Sequence, residues 1–203
     1  MTGYPEAACV LLYWLPLGTG GRSVRWNGRM FEALVARRER RSACDLYHSA
    51  LEVHFGGERT VIEMAPVWAA RAADRGVVRE GPVGSRWLGH SRLFRYEVRR
   101  WERGAIPDLD EAVGGPQQVS HDPVHAQILL DLVPSVPALT WGRDELHAGE
   151  MWNSNSLTAW LLAASDHDMA ALAPPAGGRA PGWHAGLVLA GRQPQRTQPS
   201  VLY

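Results

Sequence analysis

The helix-forming stretch of this chain reads WNSNSLTAWLL, from Trp152 to Leu162. Small polar residues precede an apolar run, which is typical of a helix N-terminus and predicts a helix from about residue 155 to residue 164. The N-terminal end of a helix favours a developing negative charge, so a serine there is suited to attack a carbonyl carbon. Ser154 is therefore the candidate nucleophile, and Ser156 is the alternative if the register differs by two residues.

A second stretch, YHSALEV, runs from Tyr47 to Val53 and alternates as a strand does. A serine hydroxyl attacks poorly until a base removes its proton. His48 opens this strand, and a histidine held on a rigid strand can serve as that base. His54 is a weaker alternative, which shares a strand face with His48 because it is an even number of residues away.

The third candidate catalytic residue is Glu63, which interrupts an apolar run on the return arm of a predicted hairpin. Pairing of the two arms can bring it near the base of the first arm, and so near His48. A carboxylate that accepts one imidazole N–H orients the other ring nitrogen. The alternative is an exposed strand glutamate. Together, Ser154, His48 and Glu63 predict a catalytic triad with an acyl-Ser154 intermediate.

The residues around the nucleophile are the candidate substrate-binding groups. Arg143 lies in the polar loop before the helix and can bind an acidic group, or it forms a surface salt bridge with Asp144 or Glu145. Tryptophans beside loops are candidates for the wall of an apolar acyl pocket; they are Trp68, Trp87, Trp141 and Trp152. Next to Ser154, the candidates are Asn153 and Asn155. Backbone N–H groups of the first helical turn are expected to hold the oxyanion.

Other segments are assigned from periodicity and turn residues. Strands are predicted at residues 10–17, 48–55, 59–64, 93–99 and 182–190, with a hairpin turn at residues 56–58. Helices are predicted at residues 28–41, 122–132 and 155–164, and residues 66–89 and 142–149 are assigned as irregular or loop. Blocks of strands and helices predict one α+β domain over residues 1–191, followed by a disordered tail at residues 192–203.

The 203-residue chain has a net charge of zero, with 21 basic and 21 acidic residues. This balance gives no reason to expect nucleic acid or an anionic membrane as a partner. All basic residues are arginines, which excludes Schiff-base, P-loop and Ser–Lys chemistry and indicates a GC-rich coding genome. The apolar run at residues 8–17 is too short to span a bilayer and lacks signal-peptide features. Cys9, Cys44 and the histidines show no metal-ligand spacing, so we expect no metal, no cofactor and a cytoplasmic location.

These segments resemble the circularly permuted papain-like fold of the NlpC superclan, above all the lecithin retinol acyltransferase-like acyltransferases and phospholipases, with the PPPDE-type peptidases as cousins. In that group a histidine opens a strand, a hairpin carries a second polar residue, and an Asn-Cys-x-x-Phe pattern begins a later helix. Here the similar segments are Tyr47–Val53, Val61–Pro66 and Asn153–Leu157. Ser154 replaces the family's cysteine, and Glu63 stands where many members have histidine.

The resemblance implies an antiparallel sheet packed against helices, with no particular oligomeric state. The first hypothesis is a serine hydrolase or acyltransferase that acts on an ester, thioester or amide of a small-molecule, acyl or peptidyl substrate. The second is a catalytically silent binding module on the same fold. The third is a peptidase or deamidase that acts on a protein partner. A hydrogen bond between His48 and Ser154 would favour an enzyme, whereas a cleft filled by a side chain from residues 66–89 would favour the module.

Overall fold

The structure is a computed structural model that describes residues 8–17, 44–67 and 76–193. Within these residues it contains six strands and three α-helices. The strands are β1 (Cys9–Pro16), β2 (Tyr47–Phe55), β3 (Glu58–Pro66), β4 (Val77–Pro82), β5 (Arg95–Glu102) and β6 (Gln117–Ser120). The helices are α1 (Pro123–Leu132), α2 (Ser154–Ala164) and α3 (Trp183–Arg192).

The strands form one antiparallel sheet in the order β4-β5-β3-β2-β1-β6. The predicted hairpin is formed by β2 and β3, and its turn contains Gly56 and Gly57, with φ angles of 59° and 78°. Glycine adopts this left-handed region without steric penalty, and such two-residue turns match the twist of paired strands. The predicted fold class, a single α+β domain with an antiparallel sheet packed against helices, is confirmed.

The two faces of the sheet have different neighbours, because successive strand residues point to opposite sides. Tyr47, Leu51 and Val53 of β2 pack with apolar residues of the helices in the main core, and we call this side the helix face. Ala50 of β2 packs with Leu15 of β1 in a smaller apolar cluster, and we call this side the opposite face. Paired residues on neighbouring strands share a face, so the strand register assigns each side chain to one side.

The last helix corrects a prediction, since residues 182–190 were expected to form a strand. Small and apolar residues of α3 that pack toward the core recur with helical spacing: Ala185, Gly186, Leu189 and Ala190. A Cβ atom on Gly186 would lie 2.2 Å from the backbone oxygen of Ser156 in α2. The two helices therefore meet at backbone distance, and glycine is what permits this contact.

Two strands were absent from the predictions, and both lie at sheet edges. β4 lies inside the segment predicted to be irregular, and β6 has only four residues, none of them fully buried. Edge strands pair on one side only, so their sequences carry a weaker alternation. β5 begins at Arg95, two residues later than expected, because Leu93 and Phe94 belong to a short 3-10 turn.

Several predictions concern residues that the structure does not describe. The predicted helix at residues 28–41, Trp68 with the rest of residues 68–75, and residues 194–203 of the predicted tail lie outside the described residues. α3 itself continues to Arg192, the first residue of that predicted tail. Among the described helices, none has the length and apolar character needed to cross a membrane.

Candidate functional site

The first turn of α2 is closed by a capping box. Asn153 is the N-cap, and its side-chain oxygen accepts hydrogen bonds from the backbone N–H groups of Asn155 (2.9 Å) and Ser156 (3.2 Å). The Ser156 hydroxyl accepts from the Asn153 N–H (3.1 Å) and donates to the Gly182 carbonyl (2.7 Å). These contacts satisfy N–H groups that a helix start leaves free. Asn153 and the fully buried Ser156, the alternative nucleophile, are therefore committed to capping.

Asn155 joins the start of α2 to β2. Its side-chain oxygen accepts a hydrogen bond from Ser49 Oγ, and its Nδ2 donates to the carbonyl oxygens of Tyr47 and Pro181, all at 2.9 Å. Ser49 and Asn155 are only 2% and 1% exposed. The buried contact between helix and strand thus consists of a hydroxyl and an amide, neither of which exchanges a proton near neutral pH.

Ser154, the predicted nucleophile, is the first residue of α2 and is buried. Within the described part of the chain, its side chain makes no hydrogen bond. The two N–H groups that follow it, on Asn155 and Ser156, were expected to hold an oxyanion, but they already donate to the Asn153 side chain. The N–H groups of the two residues after Ser154 are therefore already used in capping.

His48 and Ser154 lie on different sides of the sheet. His48 pairs with Leu15 of β1, which belongs to the apolar cluster on the opposite face. The next residue, Ser49, is the one that reaches α2. A shift of one residue along a strand turns the side chain to the other face. The strand register therefore gives no support to the predicted contact, and no hydrogen bond joins His48 to Ser154 among the described residues.

Glu63 lies on the opposite face and belongs to a buried cluster of charges. Arg99 of β5 is its cross-strand neighbour, and the Arg99 guanidinium forms salt bridges with Glu63 and with Glu97. The exposed fractions of Glu63, Glu97 and Arg99 are 7%, 7% and 1%. A guanidinium between two carboxylates compensates charges that would otherwise be costly to bury. Glu63 is thus not the exposed residue of the alternative interpretation; it lies on the same sheet face as His48, and its carboxylate pairs with Arg99.

The two candidate bases both face away from α2. Burial lowers the pKa of His48 to about 4, and the Asp108 carboxylate opposes this with a smaller raising effect. His48 is therefore neutral at pH 7 but a poor proton acceptor for a serine hydroxyl. His54 shares the face of His48, and its Nε2 lies 2.7 Å from the Glu52 carboxylate, which also pairs with Arg59.

Arg143, a predicted substrate-binding residue, is exposed on the loop that precedes α2. Its Nε donates to the backbone carbonyl of Gly84. The alternative salt bridge with Asp144 or Glu145 is not formed, because Asp144 accepts from loop N–H groups and Glu145 pairs with another arginine. The side chain therefore ties two loops together at the surface.

Trp141 and Trp152, predicted to line an acyl pocket, pack against the main core. Trp152 is 1% exposed, and the Trp141 ring meets the Tyr96 ring edge-on at a centroid distance of 5.8 Å. The Tyr96 hydroxyl donates to the Leu139 carbonyl at 2.7 Å, and burial raises the pKa of Tyr96 to about 12. These aromatic contacts hold the loop before α2 against the sheet.

Ser49 is the site residue that the sequence analysis missed, although the alternation of residues along β2 indicates its position. Leu51 and Val53 are apolar and share strand parity with Ser49, whereas His48 shares parity with Glu52. Alternation alone therefore assigns Ser49 to the face that packs against the helices, and His48 to the other.

A second polar cluster lies at the end of α2. Ser165 Oγ lies 2.8 Å from His167 Nδ1 and 2.6 Å from the Leu161 carbonyl oxygen. His167 is buried, and its ring centroid lies 5.4 Å from that of His125. Desolvation is the main cause that lowers the pKa of His167 to about 4, and His125 adds to it. The histidine is therefore neutral at pH 7, a state that acid would disturb.

The described residues contain no group of three or more His, Cys, Asp or Glu side chains that could hold a metal ion. Comparison with family models, with curated proteins and with solved structures finds no match to this chain.

Proposed function

We propose that this chain is a binding module and does not carry out acyl transfer. The observation that carries the proposal is the buried hydrogen bond between Ser49 and Asn155, at the junction of β2 with the α2 N-terminus. An acyl-transfer enzyme of the kind that the sequence resembles needs a base and a nucleophile in contact. Here the contact joins a hydroxyl to an amide, and an amide cannot take a proton from a hydroxyl at neutral pH.

The packing around the helix start supports a structural role for this junction. A Cβ atom on Gly182 would lie 2.4 Å from the Asn153 side-chain oxygen, so the turn before α3 closes directly over the first turn of α2. Asn155 also bonds to Pro181 in that turn. A substrate carbonyl would have to approach the same helix end, which the protein's own backbone already covers.

A binding module also needs a surface for its partner. The connection between β4 and β5 presents Trp87 and Leu93, whose exposed fractions are 85% and 66%. Single exposed apolar residues are common, but several close together are characteristic of interaction sites. This surface lies outside the junction of β2 and α2, so binding there needs no catalytic chemistry.

A serine hydrolase or acyltransferase acting on an ester, thioester or amide is the second candidate. It is favoured by Ser154, which stands at a helix N-terminus with a hydroxyl that makes no hydrogen bond within the described residues. This candidate needs a base other than His48, because His48 faces away from α2. It also needs an oxyanion site other than the N–H groups of Asn155 and Ser156.

Labelling with serine-reactive fluorophosphonates separates the two candidates. Wild type, Ser154→Ala and His48→Ala are incubated with a long-chain and a small fluorophosphonate, and the intact mass of each protein is measured. We expect no adduct that depends on Ser154, because no base contacts its hydroxyl. An adduct in wild type that is lost in Ser154→Ala would overturn the binding module and establish the serine enzyme, and its further loss in His48→Ala would assign His48 as the base.

A further inference from the structure

The connection between β4 and β5, residues 83–94, exposes an apolar patch. Its large apolar side chains are exposed by 85%, 43%, 66% and 42%; they are Trp87, Leu88, Leu93 and Phe94. Four such residues within eight positions form a contiguous stretch rather than the scattered exposure of an ordinary surface. We call this segment the apolar connection.

The apolar connection is held in shape by backbone hydrogen bonds. Two short 3-10 turns, Leu88–His90 and Arg92–Phe94, follow one another, and Ser91 caps the second. The base of the connection is closed by the bond from the Val83 N–H to the Phe94 carbonyl at 2.8 Å. Since the backbone is already ordered, docking of the apolar side chains costs little further conformational entropy.

The ionised side chains of the apolar connection are arginines. From Gly81 to Tyr96 the chain contains three arginines and a histidine but no aspartate or glutamate, and Arg95 pairs with Glu80 of β4 at 2.7 Å. Arg92 is exposed and has no ion pair with any described residue. Arg86 pairs with Glu145 at 2.9 Å, but its side chain remains 79% exposed. Arg92 therefore adds a positive charge that no described carboxylate balances, next to the exposed apolar side chains.

We propose that the apolar connection docks on an anionic lipid bilayer surface. Tryptophan prefers the membrane interface, leucine and phenylalanine enter the acyl boundary, and arginine attracts lipid phosphate and serine headgroups. A stable protein interface needs about 20–30 residues from each partner, more than this short connection supplies. The proposal rests on the proposed binding function and names the partner.

Vesicle flotation tests this docking with the full chain. Vesicles of phosphatidylcholine alone are compared with vesicles that contain about 30 mol% phosphatidylserine, which mimics an anionic leaflet. The test variants are Trp87→Ser/Leu93→Ser and Arg92→Glu. Val124→Ser is the matched control, because Val124 is an apolar residue with 57% exposure on α1, outside the connection. Circular dichroism checks that each variant is folded.

We expect wild type and Val124→Ser to float with the anionic vesicles. Binding should fall at least about tenfold in the double variant, because buried apolar surface is lost. It should fall at least about fivefold in Arg92→Glu and in high salt, because the attraction is electrostatic in part. Failure of wild type to float, or equal flotation of the double variant, would overturn the proposal.

The outcomes also separate this proposal from the proposed function. A wild-type protein that dimerises without lipid, with a monomeric double variant, would show that the patch is a contact between copies of the chain and would overturn membrane docking. Absence of vesicle binding together with absence of a fluorophosphonate adduct would overturn membrane docking alone. A Ser154 adduct together with vesicle binding would overturn the non-catalytic assignment and leave the docking surface in place.

Discussion

The Asn155 side chain joins the start of α2 to β2 and to the turn before α3. It makes three hydrogen bonds of 2.9 Å, to Ser49, Tyr47 and Pro181, and it is 1% exposed. Buried polar groups without partners are costly, so each of these bonds specifies how the helix sits on the strand. Ser154, one residue earlier, makes no such bond within the described residues. The two neighbours should therefore respond very differently to substitution.

Truncation of these two side chains tests that difference. We expect Asn155→Ala to lower the free energy of unfolding by about 2–4 kcal/mol, because the buried Ser49 hydroxyl and the Tyr47 carbonyl lose the partner that Asn155 provides. Ser154→Ala should change it by less than about 1 kcal/mol. Urea unfolding followed by tryptophan fluorescence measures both values. Equal losses in the two variants would contradict the structural role assigned to Asn155.

Ser49→Ala completes the test as a double-mutant cycle. If Ser49 and Asn155 bond to each other, the loss in the double variant should be smaller than the sum of the two single losses by about 0.5–3 kcal/mol. Strict additivity would show that the two side chains act independently.

The candidate site could be predicted only in part. The two contacting segments were identified, but the residue of β2 that contacts α2 lies one position after the predicted one. The polar start of α2 and the strand at Tyr47 were recognised, and the fold does bring these segments together. The sequence analysis assigned the contact to His48 because histidine is the obvious base. Strand parity assigned it to Ser49, which carries no catalytic signal. Histidine was the residue with the known catalytic chemistry, but the alternation of side chains along β2 directs Ser49 toward α2.

At the scale of elements, segments with strong periodicity were predicted well. β1, the β2–β3 hairpin and α2 are long or have clear turn and cap residues, which local sequence records. α3 was taken for a strand because a glycine and a short apolar run suit either structure. Its helical form is stabilised by packing against α2, which is a tertiary effect that the local pattern does not contain.

The contact between α2 and α3 predicts opposite effects at two glycines of one helix. A Cβ on Gly186 would lie 2.2 Å from the Ser156 backbone oxygen, whereas a Cβ on Gly191 would meet no atom within 4 Å. Gly186→Ala should therefore cost about 1–3 kcal/mol through overpacking. Gly191→Ala should stabilise the protein by up to about 1 kcal/mol, because alanine has the higher helix propensity.

Thermal unfolding of the two alanine variants measures this contrast. The expected result is a lower melting temperature for Gly186→Ala and an equal or higher one for Gly191→Ala. The same direction of change in both would show that intrinsic helix propensity, and not the close approach to Ser156, controls stability at these positions.

At the scale of the whole molecule, polar groups are buried on both sides of the sheet. The helix face holds the Ser49–Asn155 contact, and the opposite face holds the Arg99 cluster and His48. His167 is buried at the end of α2. Among these groups the two histidines have lowered pKa values, so the stability of the folded protein depends on pH.

The buried histidines make the folded state acid-sensitive. The pKa values of His48 and His167 are lowered to about 4 from an ordinary value of 6.5, mainly by desolvation. Between these values the unfolded chain binds the proton more readily than the folded chain, so stability is complete above about pH 6.5 and is lost as the pH falls toward 4. Between pH 7 and pH 5, His167 alone should lower the free energy of unfolding by about 2 kcal/mol. His48 should contribute less, because part of its surface stays exposed.

Urea unfolding of wild type and His167→Gln from pH 8 to pH 5 isolates this effect. Carboxylates contribute to the pH dependence of both proteins, so the difference between the two curves reports on residue 167. We expect His167→Gln to be less stable than wild type at pH 8, where the loss of the Ser165 contact is the main change, and to approach wild type as the pH falls. Parallel curves would show that His167 has the same pKa in the folded and unfolded chains. Its protonation would then leave the free energy of unfolding unchanged. Direct titration of the ring protons by NMR gives the same answer from the folded side, since a pKa near 4 leaves the imidazole neutral through the entire range in which the unfolded chain becomes charged.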